Sequence, residues 1–231
     1  MVRAQRPRLR AAEMIRRVLL LLSGGVDSAA ALWLLRKENG ANEVYTLSIN
    51  FYRRSPGEAA AARRLSGLAG AAGHMEIDMQ FLREAEDLPR LADSYPAAQS
   101  LPPVFLPARN IIYYSVAAHV ASSLGAREIV VGHNRDDVET FPDVGCDFIE
   151  AFNELLERSL PGFGASVKAP LIGLRKLEVW RLAYQLGVPL GMTWSCWRAG
   201  ELHCGRCAGC MQRRKMFETL GIEDPTSYQE L

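Results

Sequence analysis

Val18-Leu19-Leu20-Leu21-Leu22-Ser23-Gly24-Gly25-Val26-Asp27-Ser28 is the stretch that decides the fold. Its first five residues are apolar at every position, as in a strand covered on both faces of a parallel sheet. From Ser28 to Lys37, Ala29, Leu32 and Leu35 recur at helical spacing. The turn between them holds two adjacent glycines, which let the backbone approach a phosphate without a Cβ clash. A helix starting there offers free N–H groups and the positive end of its dipole to an anion. Ser23 and Ser28 add hydroxyl donors. Asp27 is ill-suited to phosphate unless a divalent cation lies between them, so it is assigned to Mg²⁺. The Gly-Lys-Ser/Thr ending of a Walker loop is missing, and so is the third glycine of a dinucleotide fingerprint.

Outward from this turn, strand and helix alternate. Glu43–Ile49, His74–Met79, Glu128–Gly132 and Val167–Ile172 read as strands. Glu58–Ala72, Arg109–Leu124, Cys146–Arg158 and Lys176–Leu186 read as helices. The pattern predicts an α/β fold, a Rossmann-like doubly wound parallel sheet with right-handed crossovers. Ligands of such sheets bind beyond the carboxyl ends of the strands, here after Leu22, Ile49, Met79 and Gly132. Residues 83–108 carry five prolines and read as a lid or binding loop.

The chain has 231 residues and a formal net charge of +1, which gives no global pull toward nucleic acid. No apolar run approaches the roughly 20 residues of a membrane helix. Six arginines crowd residues 1–17 without a serine, so that segment reads as a basic tail, not a transit peptide. The expected organisation is this tail, a main domain over 18–192, and a cysteine-bearing segment over 193–231 packed on it.

Four of the five cysteines, Cys196, Cys204, Cys207 and Cys210, fall within fifteen residues. A disulfide framework would be spread more widely, so the cluster points to a metal in a reducing, cytoplasmic setting. Tetrahedral Zn²⁺ in a closed structural site is the natural occupant; an iron–sulfur cluster is the alternative. His203 adjoins Cys204, which makes chelation by both awkward. Cys146 stands apart and reads as a small buried hydrophobe.

Ser23–Ser28 matches SGG-x-DS and so resembles the PP-loop, or N-type, ATP pyrophosphatases. Further segments narrow the resemblance to the 7-cyano-7-deazaguanine synthases of the queuosine and archaeosine pathways. They are Pro107-Ala108-Arg109-Asn110, Phe141-Pro142-Asp143, Phe148–Phe152, Ala169–Ile172, Lys176-x-Glu178, Thr193–Cys196, Cys204-Gly205-x-Cys207-x2-Cys210 and Gly221–Pro225. The resemblance implies ATP, Mg²⁺ and Zn²⁺, with two rounds of adenylation. The carboxylate of 7-carboxy-7-deazaguanine is activated and ammonia displaces AMP; the amide is then activated and dehydrated to the nitrile. It assigns Ser23, Gly24, Gly25, Val26, Asp27 and Ser28 to ATP, and Lys176 to the departing pyrophosphate. Arg109 and Asn110 would reach phosphate or the deazaguanine. Asp137 and Asp143 would accept from the base's N–H groups or hold a second cation.

Two loops depart from the family pattern. Asn50-Phe51-Tyr52-Arg53-Arg54-Ser55 stands where Asp-Tyr-Gly-Gln-x-His is usual, and Val144-Gly145 where Cys-Arg is usual. A divergent member would use the same adenylation to attach a deazaguanine-type base to a protein or other amine, as in an antiphage defence system. Gly132-His133-x2-Asp136-Asp137-x2-Thr140 instead echoes PP-loop enzymes that modify tRNA, although the neutral charge argues against a nucleic-acid substrate. Trp180, Trp194 and Trp197 are candidates for a homodimer interface.

Overall fold

The computed structural model describes residues 15–37, 42–51, 54–80, 106–198 and 200–229. Its strands are β1 (Arg16–Leu21), β2 (Asn42–Asn50), β3 (Gly73–Asp78), β4 (Glu128–Val130) and β5 (Ser166–Lys168). Its helices are α1 (Val26–Lys37), α2 (Pro56–Leu68), α3 (Arg109–Leu124), α4 (Arg135–Thr140), α5 (Cys146–Ser159), α6 (Lys176–Gln185) and α7 (Ala208–Leu220). The strands form one parallel sheet in the order β3-β2-β1-β4-β5.

Strand alternation assigns the helices to faces. Val18, Leu20 and Leu22 pack with Leu32 of α1, Leu65 of α2, Trp180 of α6 and Phe217 of α7. Leu19 points the other way, toward Tyr114 of α3 and Phe152 of α5. The sheet is therefore doubly wound, as expected. The chain order reverses between β1 and β4, and at such a switch point the flanking loops diverge and leave a crevice.

The predicted strands and long helices are all present, with shifted ends. The α2 helix stops at Leu68 because Gly70, at φ +65°, turns the chain away. The β5 strand is short, ending at Lys168 before Pro170. Two helices escaped the periodicity reading. The α4 helix buries none of its residues, so it has no apolar stripe; the Asn134–Asp137 capping box defines it instead. The α7 helix buries Cys210, Arg213 and Phe217, a mixed face that hides its period, and Phe217 anchors it in the main core. The tail up to residue 14 and the proline-rich stretch from 81 to 105 lie outside the described residues. Arg16 and Arg17, read as part of that tail, begin β1.

Candidate active site at the sheet switch point

The turn after β1 is held by its own serines. Ser28 Oγ donates to the Gly25 carbonyl at 3.2 Å and accepts from the Ser23 N–H at 3.2 Å. The two hydroxyls lie 3.0 Å apart. Gly24 sits at φ +99°, and a Cβ there would meet the Glu58 carbonyl at 2.4 Å. A Cβ on Gly132, after β4, would meet the Ser28 nitrogen at 2.8 Å. Glycine at these two places lets α2 and β4 close on the start of α1. Arg54 supports the turn from below, donating to the Ser23 carbonyl at 2.7 Å and to Asn50 Oδ1 at 2.8 Å. The altered loop thus still braces the phosphate turn.

Across the start of α1, Lys176 Nζ contacts Asp27 Oδ2 at 2.7 Å. The start of α6 is fixed because the Lys176 N–H donates to Asp136 Oδ2 and Arg175 pairs with Glu139 at 2.6 Å. Burial pulls the Lys176 ammonium down, but Asp27, then Asp137 and Asp136, outweigh it, and its pKa stands above the ordinary lysine value. Asp27 Oδ1 is buried with no partner among the described residues. An orphaned carboxylate oxygen is costly, and a hard cation is the ligand that satisfies it. Asp137 lies within electrostatic reach of Asp27, and burial raises its carboxyl above the usual range. The pair therefore fits the Mg²⁺ expected from the sequence.

Two clefts open here. One, of about 360 Å³, is lined by Leu47, Ile49, Phe51, Arg109, Tyr113, His133 and Asp137 among others. Apolar and aromatic walls alternate there with polar and charged groups, among them Asp27, Arg54, Glu58, Arg109 and Asp137, a mixture that suits a polar heterocycle. The other, of about 190 Å³, is lined by Gly25, Val26, Lys176, Ser195, Gln212 and Arg213. Lys176, Arg213 and the α1 N-terminus stand there against the carboxylates of Asp27 and Glu58, a set that would take a phosphate-like anion together with a divalent cation, and it is termed the anion cleft. Asp27 and Glu58 border both clefts.

The residues singled out from the sequence divide in their placement. Ser23, Gly25, Val26, Asp27, Ser28, Arg109, Asn110, Asp137 and Lys176 line one cleft or both. Gly24 acts through the turn. Asp143 is buried and outside the described lining of either cleft. Its Oδ2 accepts from the Asn110 N–H at 3.4 Å, while Asn110 Nδ2 donates to the Asp143 carbonyl at 3.0 Å. That exchange fixes the start of α3 and aims Arg109, the next residue back. Ala108 takes a left-handed φ of 58° to begin the helix there.

Sequence reading missed Arg54, Glu58, Tyr113, Tyr114 and Arg213. Arg213 is fully buried, donating to Thr193 Oγ1 at 2.8 Å and Thr226 Oγ1 at 2.6 Å. Its position, three residues after Cys210, was the available signal. His133 was quoted only as a weak echo of another family. Here Tyr114 Oη lies 2.7 Å from His133 Nε2. Burial, then Arg109, pushes the imidazole down to about 4, so it is neutral at physiological pH.

The Sγ atoms of Cys196, Cys204, Cys207 and Cys210 all lie within 4.8 Å of one another. A tetrahedral ion with bonds of ~2.3 Å spaces its sulfurs about 3.8 Å apart. The Cys204–Cys210 and Cys196–Cys207 pairs stand at 3.9 Å. Backbone N–H groups of Cys204, Cys207 and Cys210 point at sulfurs at 3.4 Å, which favours thiolates. The cage suits one ion, and a multi-iron cluster would need a wider one. His203 turns away, its Nε2 accepting from the Ser195 N–H at 3.1 Å and its ring 4.4 Å from that of Trp194. Cys146 is exposed at the start of α5, not buried as its sequence context suggested. The cage connects directly to the anion cleft: Trp194 N–H donates to the Gly24 carbonyl at 2.8 Å, and Cys196 lines that cleft.

Comparison with known proteins agrees with this geometry. The U34-tRNA thiolase NcsA from Methanococcus maripaludis, described with its [4Fe-4S] cluster, superposes with a TM-score of 0.52 at 16% identity, covering 88% of this chain and 67% of that one. The NMN synthetase from Francisella tularensis superposes with a TM-score of 0.50 at 19% identity, covering 91% and 74%. Both likenesses concern the fold alone. The 7-cyano-7-deazaguanine synthase of Methanothermobacter thermautotrophicus is 35% identical over 226 residues, covering 93% of this chain and 100% of its own. That of Azoarcus sp. is 38% identical over 223 residues, covering 92% and 97%. The family model described as queuosine biosynthesis protein QueC matches residues 17–221, from β1 past the last cysteine to the end of α7. With that match and relatives alike over their full length, this chain belongs to the QueC family.

Proposed function

We propose that this protein is an ATP-dependent 7-cyano-7-deazaguanine synthase, converting 7-carboxy-7-deazaguanine and ammonia to the nitrile. The observation that carries the reading is the junction of an aromatic cleft with an anion cleft at Asp27. Adenylation needs that layout, with heterocycles on one side, departing pyrophosphate on the other, and the α-phosphate between. A substrate carboxylate oxygen attacks the α-phosphorus and pyrophosphate leaves toward Lys176 and Arg213. Ammonia then forms the C–N bond as AMP departs with the electron pair. A second adenylation, on the amide oxygen, makes AMP the leaving group again when the nitrile forms.

The protein's contribution is positioning and fixed charge. The α1 N-terminus and the Ser23–Ser28 turn hold phosphate. Lys176 and Arg213 balance the charge of pyrophosphate. Asp27 and Asp137 would hold Mg²⁺, which would neutralise phosphate charge and orient the triphosphate. Arg109 and Asn110, at the start of α3, orient the substrates, and the neutral His133 offers a hydrogen bond without adding charge. Asp143 supports them by fixing Asn110. The cysteine cage would hold Zn²⁺ as a structural ion beside the anion cleft. Of the tryptophans proposed for a homodimer interface, Trp180 and Trp194 are buried in the chain's own cores and only Trp197 is exposed, so a homodimer would rest on Trp197; the free thiols suit the cytoplasm.

The test is a half-reaction. In the presence of 7-carboxy-7-deazaguanine and Mg²⁺, but without ammonium, radiolabelled pyrophosphate is expected to exchange into ATP. Exchange that does not depend on the deazaguanine acid would contradict the reading, and Asp27→Ala is expected to abolish it.

A further inference from the structure

Displacement by ammonia poses a problem that the groups above leave unsolved. At neutral pH the reagent arrives as ammonium, which has no lone pair. A group at the reaction centre must attract the cation and accept its proton. The centre lies where the two clefts meet, and only Asp27 and Glu58 among the described residues border both. Asp27 is bound to Lys176 at 2.7 Å. The nearby Asp137 accepts from the Asn134 N–H at 3.2 Å and shares the field of Lys176.

Glu58 makes no ion pair among the described residues, and its carboxylate interacts with the backbone N–H of Ser55, its own helix cap. Arg54 is close; its two terminal nitrogens donate to backbone carbonyls, Asn50 and Ser48, while its buried Nε has no partner among the described residues. Arg54, Arg109 and Tyr113 are the charged and titratable groups that face the Glu58 carboxylate. Helix α2 places it there: Ser55 caps the helix, and the Glu58 carbonyl packs on Gly24 of the phosphate turn.

Resting on the reading above, we propose that Glu58 binds the incoming ammonium and takes its proton. Ammonium gives one proton to the carboxylate, and the freed lone pair attacks the acyl carbon. The C–N bond forms, the C–O bond to AMP breaks, and AMP leaves with that electron pair. The second proton lost from nitrogen goes to solvent. Burial raises the Glu58 carboxyl above its usual range, which improves it as an acceptor.

Glu58 is also the third residue of its helix, where a Glu or Gln side chain can turn back to the capping residue's N–H. Glu58→Gln therefore keeps a structural role and removes only the base. Substrate-dependent ATP–pyrophosphate exchange without ammonium, which does not call on the base, is expected to fall far less than ammonium use. The kcat/KM for ammonium is expected to fall on the order of 100-fold at neutral pH. The deficit should shrink as pH rises and free ammonia accumulates. Glu58→Asp, which keeps the charge, should retain much of the ammonium use. Parallel loss of exchange and ammonium use, or parental ammonium kinetics at every pH, would overturn the assignment. Absence of exchange in the parent protein would instead remove the underlying reading, and this one with it.

Discussion

At the scale of single residues, one contact concentrates the chemistry. Lys176 and Asp27 are 149 positions apart in sequence, yet meet at 2.7 Å on the start of α1. Lys176→Met is expected to slow adenylation on the order of 100–1,000-fold, because a preorganised charge on the departing group is removed. Pyrophosphate exchange checks this; a fall of only a few-fold would assign the lysine to solvation instead. A second residue bears on stability. Arg16, then Lys168, holds the Glu128 carboxyl down to about 2 at the start of β4. The sign follows from the depressed value. Its stabilisation is complete above the unfolded carboxyl pKa, near 4.5, and is lost as pH falls toward 2. Both basic partners are about half exposed, so the pair contributes roughly 1–2 kcal/mol at neutral pH. Urea unfolding of Glu128→Gln should show that loss at pH 7, with the gap to the parent narrowing on acidification.

At the scale of elements, the site depends on close approaches that glycine permits. Gly132→Ala would drive a methyl group onto the α1 backbone, 2.8 Å from the Ser28 nitrogen. Backbone cannot yield as a flexible side chain would, so a loss of about 1–3 kcal/mol is expected, together with weaker ATP binding. A thermal melt with and without ATP checks both. The metal cage is a second such element. Gly57 lies against the ring of Trp194, where a Cβ would fall at 2.5 Å, and Trp194 holds the Gly24 carbonyl. Chelation is therefore expected to loosen the phosphate turn as well as the C-terminal segment. Tryptophan fluorescence should shift while ATP affinity falls. A chelated protein with unchanged ATP affinity would show the cage to be independent of the site. These couplings also mark what sequence could reveal. The all-apolar β1, the glycine turn and the cysteine spacing each depend on a few adjacent residues, and each was legible. Helix α7 was not, since its buried face mixes Cys210, Arg213 and Phe217. Nor was Arg54, whose value comes from carbonyls that only folding brings near it.

At the scale of the whole molecule, five parallel strands bring together residues from β1, the β2–α2 loop, α3, the β4–α4 turn, α6 and α7. Alternating strand and helix patterns foretold this sheet and the ends at which to look. They could not foretell that the phosphate turn would separate the aromatic cleft from a second, more polar one, because that division depends on Trp194 and Arg213 returning from the C-terminal segment. Phe51 and Arg54, from the altered segment after β2, line the aromatic cleft, and Val144–Gly145 follow Asp143, which fixes Asn110, so the product is the central claim to test. The direct measurement is mass spectrometry of the base after incubation with ATP, Mg²⁺, ammonium and 7-carboxy-7-deazaguanine, with Asp27→Ala as control. The account predicts 7-cyano-7-deazaguanine, with two pyrophosphates released per nitrile, consistent with adenylation of the acid and then of the amide. Accumulation of the adenylate or the amide without nitrile would contradict it.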